Sequence, residues 1–278
     1  MARRRLALLV VLVWLVCLAA LSLRSTGRHE PAAPASPSIN ESSAQRARGV
    51  VERAIAAHGG RQVWRTRHDA VYATTWTHYE QGRPDVSSRY TVKLRLNGPS
   101  GPLSEAVVQG DENGSPVLMG ISGWRSWFHV GTQRYEDVAS LKANRAFIRR
   151  AGTLLTVPFC LDDPGIDLQW DGQEVRAGMV VDRIRAARPL WPDALYLFDR
   201  STGRASGIGS PVSETPTWSL GHYAEFTEID GILIPSLQIF ERHDPATGRR
   251  HKSLSISVDQ ARFRNGLDPS TFEPPAGM

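Results

Sequence analysis

Two groups of residues have the types and spacing that acid–base catalysis would use. Asp162 and Asp163 are adjacent carboxylates before a Pro-Gly pair, and two carboxylates can serve as general acid and general base. Adjacent acidic residues before Pro-Gly are also typical of a turn. His222 and Glu225 lie on a predicted strand, where a separation of three places their side chains on opposite faces. We therefore predict that neither group is a catalytic pair.

Nucleophilic and metal-assisted catalysis need patterns that this sequence does not contain. The glycine cluster Gly207–Ser210 lacks the Gly-x-Ser-x-Gly order of a nucleophile elbow. The eight histidines are scattered and form no His-Glu-x-x-His motif. Of the two cysteines, only Cys160 lies beyond the first 28 residues, and we expect it to be a buried apolar residue. We predict no enzyme, no metal and no cofactor, with a hydrolase of unrecognised site as one alternative.

The N-terminus carries the whole charge imbalance of the chain. Residues 1–28 contain five arginines and no acidic residue, and the formal net charge of the full chain is +5. Residues 6–23 are nearly all apolar and would span about 27 Å as a helix, close to a hydrocarbon core of roughly 30 Å. We predict a signal-anchor in residues 1–28, with a cleaved signal peptide as the alternative. Because the basic excess lies in this segment, we exclude nucleic acid as a partner.

The rest of the chain divides into a linker and one domain. Residues 29–41 are rich in Pro, Ala and Ser and show no hydrophobic periodicity, which predicts a flexible linker. Residues 42–278 contain no further linker and no internal repeat. They are numerous enough for one large β domain with a sizeable core.

Two amphipathic helices are predicted inside this domain. Apolar residues recur at three- and four-residue spacing over residues 47–58, and Ser42 with Gln45 forms a capping box before them. We expect His58, at the last turn, to be a packed histidine and not a ligand. A second helix is predicted over residues 138–155, where apolar residues are interspersed with basic ones.

Most of the remaining sequence has the period-two pattern of half-buried strands. The clearest alternating residues are Val92, Leu94 and Leu96, then Ile166, Leu168 and Trp170, then Leu254, Ile256 and Val258. Turn signals such as Asp171–Gly172 and Asp230–Gly231 separate such runs. We predict a mainly β (α+β) fold, in which a large curled antiparallel sheet of about ten strands forms a half-open barrel. Two helices would cover its concave face, and the N-terminal transmembrane helix would precede it.

Seven motifs, in a fixed order, give the chain a family resemblance. They are Ala56–Gly60 with Trp64, Gly123–Trp127, Pro158–Gly165, Leu195–Gly203, Tyr223–Phe226, Asp230–Pro235 and Asn265–Pro275. Their order and spacing are similar to those of exported bacterial proteins related to LolA and LolB, the carriers of lipoprotein sorting. The resemblance covers nearly all of residues 44–275. It implies a half-closed antiparallel barrel that is lidded by helices and holds lipid or acyl chains.

Taken with the N-terminal segment, this resemblance predicts a location and a function. We predict a single-pass protein of the bacterial inner membrane whose C-terminal domain lies in the periplasm, or a periplasmic protein if the signal is cleaved. The domain would bind lipid, lipoprotein acyl chains or another hydrophobic ligand without catalysis. The alternative is a cell-envelope interaction module, with a filled core and a protein partner.

Large apolar side chains are the candidates for the wall and lid of a ligand cavity. We predict this role for Trp76, Leu94, Leu96, Trp127, Phe147 and Trp170. Arg149 and Arg150, on the second helix, could meet a lipid phosphate, although we expect them to lie on a solvated helix face.

Overall fold

The computed structural model describes one domain that is rich in antiparallel strands. The described residues are 42–80, 82–97, 103–112, 114–163, 165–187, 194–211, 218–243, 250–264 and 266–275. Within these ranges, no helix combines the length and the apolar character that crossing a membrane requires. The predicted anchor and linker, residues 1–41, lie outside them. The described buried side chains extend from Ala47 to Phe272, so this core is formed within the predicted β domain.

Three α-helices and two 3₁₀ helices occur in the described residues. They are α1 (Ser43–Ala57), α2 (Arg61–Arg65), α3 (Val138–Thr156), η1 (Phe159–Asp162) and η2 (Pro269–Phe272). Helix α1 begins with the predicted capping box, in which the Gln45 backbone N–H donates to Ser42 Oγ at 3.2 Å. The N-cap of helix α3 is Asp137, whose carboxylate accepts the Ser140 backbone N–H at 2.8 Å. Both caps satisfy backbone donors that a helix N-terminus leaves free.

Thirteen strands form one antiparallel sheet. They are β1 (Asp69–His78), β2 (Val86–Arg95), β3 (Glu105–Glu112), β4 (Ser115–Ser122), β5 (Arg125–Val130), β6 (Gln133–Tyr135), β7 (Asp167–Arg176), β8 (Met179–Ala187), β9 (Ala194–Asp199), β10 (Ala205–Pro211), β11 (Trp218–Ile229), β12 (Ile232–His243) and β13 (Arg250–Arg264). Their order is β6-β5-β4-β3-β2-β1-β13-β12-β11-β10-β9-β8-β7. The sheet is open, with β6 and β7 as its edges.

The topology requires α3 to cross the sheet. Strands β1 to β6 proceed outward to one edge, and β7 to β13 return from the other edge until β13 pairs with β1. Helix α3 and η1 connect β6 to β7, and α3 contacts β3, β4, β5 and β12 on its way. A helix whose two neighbouring strands lie at opposite edges is thus placed over the middle of the sheet.

The two faces of the sheet bury different side chains. The helical face, on which α1 and α3 pack, carries the main core, which includes Tyr72, Leu94 and Phe198. The opposite face carries two small clusters, one of Val107, Trp127 and Phe272 and one of Val181, Leu195 and Leu197. Neighbouring residues such as Tyr196 and Leu197 belong to different clusters, because successive side chains of a strand point to opposite faces of the sheet.

The mainly β class of the fold is confirmed, and three details of the prediction are wrong. The sheet has thirteen strands instead of about ten, and three α-helices occur in place of two. Asp171–Gly172 is not a turn, because β7 continues through it with a bulge between Trp170 and Gln173. Gly172 has φ +99°, so it adopts the backbone conformation that such a bulge needs.

Candidate functional site

Helix α3 packs closely on the helical face of the sheet. An ideal Cβ at Gly152 would lie 3.2 Å from the Leu103 side chain and 3.6 Å from that of Leu94. The Asn144 amide donates to the Trp127 carbonyl at 2.8 Å, which fixes the N-terminal half of α3 to β5. The small residue and this hydrogen bond set the spacing between α3 and the strands below it.

Three aromatic rings meet beneath α3 and form what we call the aromatic cluster: Trp76, Tyr90 and Phe147. The Trp76 ring centroid lies 5.1 Å from that of Phe147 and 5.7 Å from that of Tyr90. The Trp76 indole N–H donates to Thr74 Oγ1 at 3.1 Å, and the Tyr90 hydroxyl donates to Glu112. The polar atoms of this cluster are therefore satisfied within the protein.

Five of the six sequence-predicted ligand residues lie in or pack against the main core on the helical face, one of them, Trp170, at its edge beneath α1. Leu94 and Leu96 are buried on β2 and just after it, and Trp76 is buried on β1. Phe147, on α3, is half-buried and packs against the same core. Phe147 retains more exposure than the three buried residues, and it lies on the helix that covers the sheet.

The structure places Trp170 and Trp127 outside the group beneath α3. Trp170 is half-buried at the edge of the core beneath α1, where the Arg46 guanidinium lies 3.6 Å from its ring centroid. Its indole N–H donates to the buried Asp182 at 3.3 Å. Trp127 lies on the opposite face of the sheet, with its ring over Gly120. These two tryptophans do not join the group beneath α3.

A second group beneath α3, which we call the polar cluster, consists of Arg150, Tyr196, Tyr223 and Gln238. Tyr196 lies on β9, Tyr223 on β11 and Gln238 on β12, where it pairs with Tyr223 in the register of the strands. The Gln238 amide donates to the Leu154 carbonyl of α3 at 3.0 Å. The expectation that Arg150 lies on a solvated helix face is wrong, because its guanidinium carbon lies 5.9 Å from the ring centroid of the buried Phe240 and only part of its side chain is exposed.

Sequence reasoning missed this group, although one signal was present. Arg150 follows Phe147 by three positions and precedes Leu154 by four, so it interrupts the apolar stripe of the helix. A charged residue in that stripe indicates a buried role. The tyrosines and Gln238 gave no comparable signal, because their proximity depends on which strands are neighbours.

The residues first considered for chemistry have structural partners. The Asp162 carboxylate accepts two hydrogen bonds of 2.7 Å from the Arg61 guanidinium, which ties α2 to η1. Asp163 accepts the Gly165 backbone N–H at 2.9 Å, the turn geometry expected from sequence. Cys160 is buried, and its Sγ lies 3.9 Å from the Thr153 carbonyl. In the described residues, no group of three side chains is arranged to hold a metal ion.

His58 is a packed histidine, as predicted. It is fully buried, its Nδ1–H donates to the Leu233 carbonyl at 2.7 Å, and its Nε2 accepts the Ala205 backbone N–H at 3.1 Å. Burial lowers the pKa of His58 to about 4. The neutral ring thereby joins the end of α1 to β10 and β12.

This architecture is similar to that of solved LolA superfamily proteins, which confirms the resemblance seen in the sequence at the level of fold. No protein-family profile matches the sequence, and no curated protein matches it. A LolA superfamily protein of Nitrosomonas europaea superposes with a TM-score of 0.58 at 14% identity, over 82% of this chain and 97% of that one.

Two further solved structures share the fold. One is a DUF1329 family protein of Desulfovibrio piger, with a TM-score of 0.53 and 13% identity. The other is a domain of Vibrio parahaemolyticus assigned to outer membrane lipoprotein sorting, also with a TM-score of 0.53 and 13% identity. Each alignment covers 82% of this chain and 97% of the other. Identities this low identify the architecture alone.

Proposed function

We propose that this protein is a non-catalytic envelope protein that binds a lipid, an acyl chain or another hydrophobic molecule between its sheet and α3. The observation that carries the proposal is the crossing of α3 over an apolar and aromatic surface, with the half-buried Phe147 facing Trp76 and Tyr90. The residues that would contact the ligand are Trp76, Leu94, Leu96 and Phe147. Trp170, at the edge beneath α1, would contact a ligand that extends toward that helix.

The location is also part of the proposal. Residues 1–28 would hold the protein at the bacterial inner membrane, and the Pro-rich residues 29–41 would separate the domain from the bilayer. The LolA-type fold supports an envelope protein of this kind. A tethered domain of this design can receive a hydrophobic ligand without leaving the membrane surface.

Energetics favour an apolar ligand in such a site. Each methylene group that moves from water into an apolar site contributes about 0.8 kcal/mol. A 16-carbon chain could gain on the order of 10 kcal/mol before the costs of ordering and association are subtracted. The ligand would therefore bind even where its contacts are purely apolar.

A second candidate function is supported by exposed apolar side chains. Val175 of β7 is 75% exposed and pairs in register with Val180 of β8, which is 42% exposed, and Met179 beside it is 45% exposed. Large exposed apolar residues occur at surfaces that bind proteins. An interaction module of the cell envelope would use such residues and would need no small ligand.

Native mass spectrometry separates the two functions. The protein from residue 29 onward contains the whole described core and would be expressed in the periplasm and purified without detergent. We expect additional mass that is extractable as lipid, and we expect Phe147→Asp to lose it while the exposed-site control Trp124→Asp retains it. Circular dichroism would verify that both variants are folded, and Phe147→Ala provides a milder change. A ligand-free mass that persists after incubation with phospholipids would favour the interaction module.

A further inference from the structure

Arg150 is a cation inside the protein that the described residues do not neutralise. Part of its side chain remains accessible to solvent, while its guanidinium carbon lies 5.9 Å from the ring centroid of the buried Phe240. Burial lowers the pKa of Arg150, and no carboxylate among the described residues is a cause of this shift. Within the described ranges it has neither an ion pair nor a hydrogen-bond acceptor. Such a charge is costly to bury, and buried charges normally have a partner.

Two tyrosine hydroxyls accompany this cation. Tyr196 and Tyr223 are only 4% and 7% exposed, and both lie close enough to Arg150 to affect its pKa. Burial raises the pKa of both hydroxyls, so they remain protonated at neutral pH. The Tyr223 hydroxyl has no hydrogen-bond partner within the described ranges. Since a guanidinium group can only donate, the cluster presents N–H and O–H donors to a shared region.

The other groups that face Arg150 are neutral. The Phe240 ring centroid lies 5.9 Å from the guanidinium carbon, near the limit of a cation–π contact. Gln238 donates to the Leu154 carbonyl, and its buried Oε1 has no partner within the described residues. Cys160, on η1, lies near both tyrosines. The described residues near Arg150 on β9, β11 and β12 are thus Tyr196, Tyr223 and Phe240, none of which is acidic.

A glycine shapes this region. An ideal Cβ at Gly221 would lie 2.5 Å from the Phe240 ring, so any larger residue at 221 would displace the ring. Glycine allows Phe240 to lie over β11, beside Arg150. The result is an apolar wall beside the Arg150 guanidinium and the Tyr223 hydroxyl, which has no partner among the described residues. Such a pair of surfaces suits an amphiphile better than a free ion.

We propose that Arg150, together with Tyr196 and Tyr223, binds the acidic headgroup of an amphiphile, a carboxylate or a phosphate ester. This inference rests on the proposed function, because the apolar chain of the ligand would lie between the sheet and α3. A guanidinium binds carboxylate and phosphate with two parallel hydrogen bonds, and a tyrosine O–H can add a third. The ligand class is therefore an acidic lipid, and neutral lipids of equal chain length bind more weakly.

Isothermal titration calorimetry of the delipidated protein tests this specificity. The probes are hexadecanoate, hexadecyl phosphate, hexadecanol and inorganic phosphate, all at pH 7.5. We expect the two acidic amphiphiles to bind roughly 10- to 100-fold more tightly than hexadecanol, the range for hydrogen bonds to a charged group. We expect Arg150→Gln to remove this preference while hexadecanol affinity stays the same. Arg150→Lys should retain part of the preference, because it keeps the charge but loses the planar donor pair.

The matched control is Arg145→Gln, on the same helix, since the Arg145 guanidinium donates to the Trp124 carbonyl and not to the polar cluster. This control should keep the preference for acidic amphiphiles. Equal affinity for acidic and neutral amphiphiles in the wild-type protein would overturn the headgroup site and leave hydrophobic binding intact. Binding of inorganic phosphate as tightly as hexadecyl phosphate would overturn the proposal in favour of a small-anion site. Failure of every amphiphile to bind would refute the proposed function itself.

Thermal unfolding provides a readout that does not depend on ligand. Arg150→Met removes the buried charge and keeps an unbranched side chain, so its melting temperature without ligand should exceed that of the wild-type protein. The same variant should lose the preference for acidic amphiphiles. A large decrease in melting temperature would instead assign Arg150 a structural role and overturn the headgroup site.

Discussion

The aromatic cluster and the polar cluster lie on the same face of one sheet and beneath the same helix. They differ in whether their polar atoms have hydrogen-bond partners within the protein. In the aromatic cluster, the Trp76 indole and the Tyr90 hydroxyl both donate to protein acceptors. In the polar cluster, the Tyr223 hydroxyl and Gln238 Oε1 have no partner within the described residues. The first cluster therefore needs no ligand to pair its polar atoms, whereas the second bears the cost of unpaired groups that a ligand can satisfy.

The largest expected effect comes from breaking the aromatic cluster. Trp76→Ala removes a buried ring that contacts both Tyr90 and Phe147, and we expect it to lower the free energy of unfolding by about 3–5 kcal/mol. Trp124→Ala, at the exposed end of the β4–β5 hairpin, should change stability by less than about 0.5 kcal/mol. Urea denaturation compares them, and similar losses for both variants would contradict the assignment.

A low pH should lower the stability of the protein through protonation of the buried His58. Because burial lowers the pKa of His58 to about 4, the unfolded chain takes up a proton near pH 6.5 while the folded protein resists it. The stabilisation is complete above pH 6.5 and is lost as the pH falls toward about 4, by at most about 3 kcal/mol. Denaturation measures the free energy of unfolding at pH 7 and at pH 4.5. The difference between the two values should be smaller for His58→Gln than for the wild-type protein. An equal difference in both would assign the acid sensitivity to other groups.

The position of the Phe240 ring beside the polar cluster depends on Gly221. Gly221→Ala places a methyl group against the Phe240 ring, and we expect a loss of about 1–3 kcal/mol from overpacking. Gly49→Ala is the contrasting change, because its nearest neighbour would be a flexible Arg53 atom 3.9 Å away. Because alanine is more stable than glycine within a helix such as α1, Gly49→Ala should stabilise the protein by about 0.5–1 kcal/mol. Thermal melts of both variants check the signs, and stabilisation by the Gly221 change would refute this packing.

Replacing a tyrosine with phenylalanine should destabilise the protein in the aromatic cluster and stabilise it in the polar cluster. Tyr90→Phe deprives Glu112 of its hydrogen-bond donor and should cost about 1–2 kcal/mol. Tyr223→Phe removes a buried hydroxyl that has no partner in the described residues and should stabilise the protein by up to about 1 kcal/mol. Chemical denaturation of the ligand-free protein measures both. Destabilisation by both substitutions would show that the clusters do not differ in this respect.

Several elements were predictable because their signals are local. The capping box at Ser42 and the apolar spacing over residues 47–58 predicted α1, which spans Ser43–Ala57. The alternation of Val92, Leu94 and Leu96 predicted their burial on one face. The strand count was less accurate, because β6 has only three residues and β10 contains Gly207 and Gly209 in place of alternating side chains.

The candidate site was predictable only in part, and Trp127 illustrates the limit. Alternation establishes that Trp127 and Phe128 face opposite sides of the sheet, but it does not say which side α3 covers. The structure places Phe128 in the main core and Trp127 against Phe272. Arg150 shows the same limit, since its position in an apolar stripe indicates burial but not what surrounds it.

The sequence by itself determined two of the three α-helices of the described residues, the cap of α1, the alternation of the strands and the β-rich class of the domain. These depend on side-chain spacing and backbone preferences among consecutive residues. Only the tertiary structure decided that β13 pairs with β1, that α3 crosses the sheet and that Arg150 meets Tyr196 and Tyr223. Those arrangements join residues that are distant in the chain, and their free energy comes from burial and packing of the whole sheet, which no local pattern records.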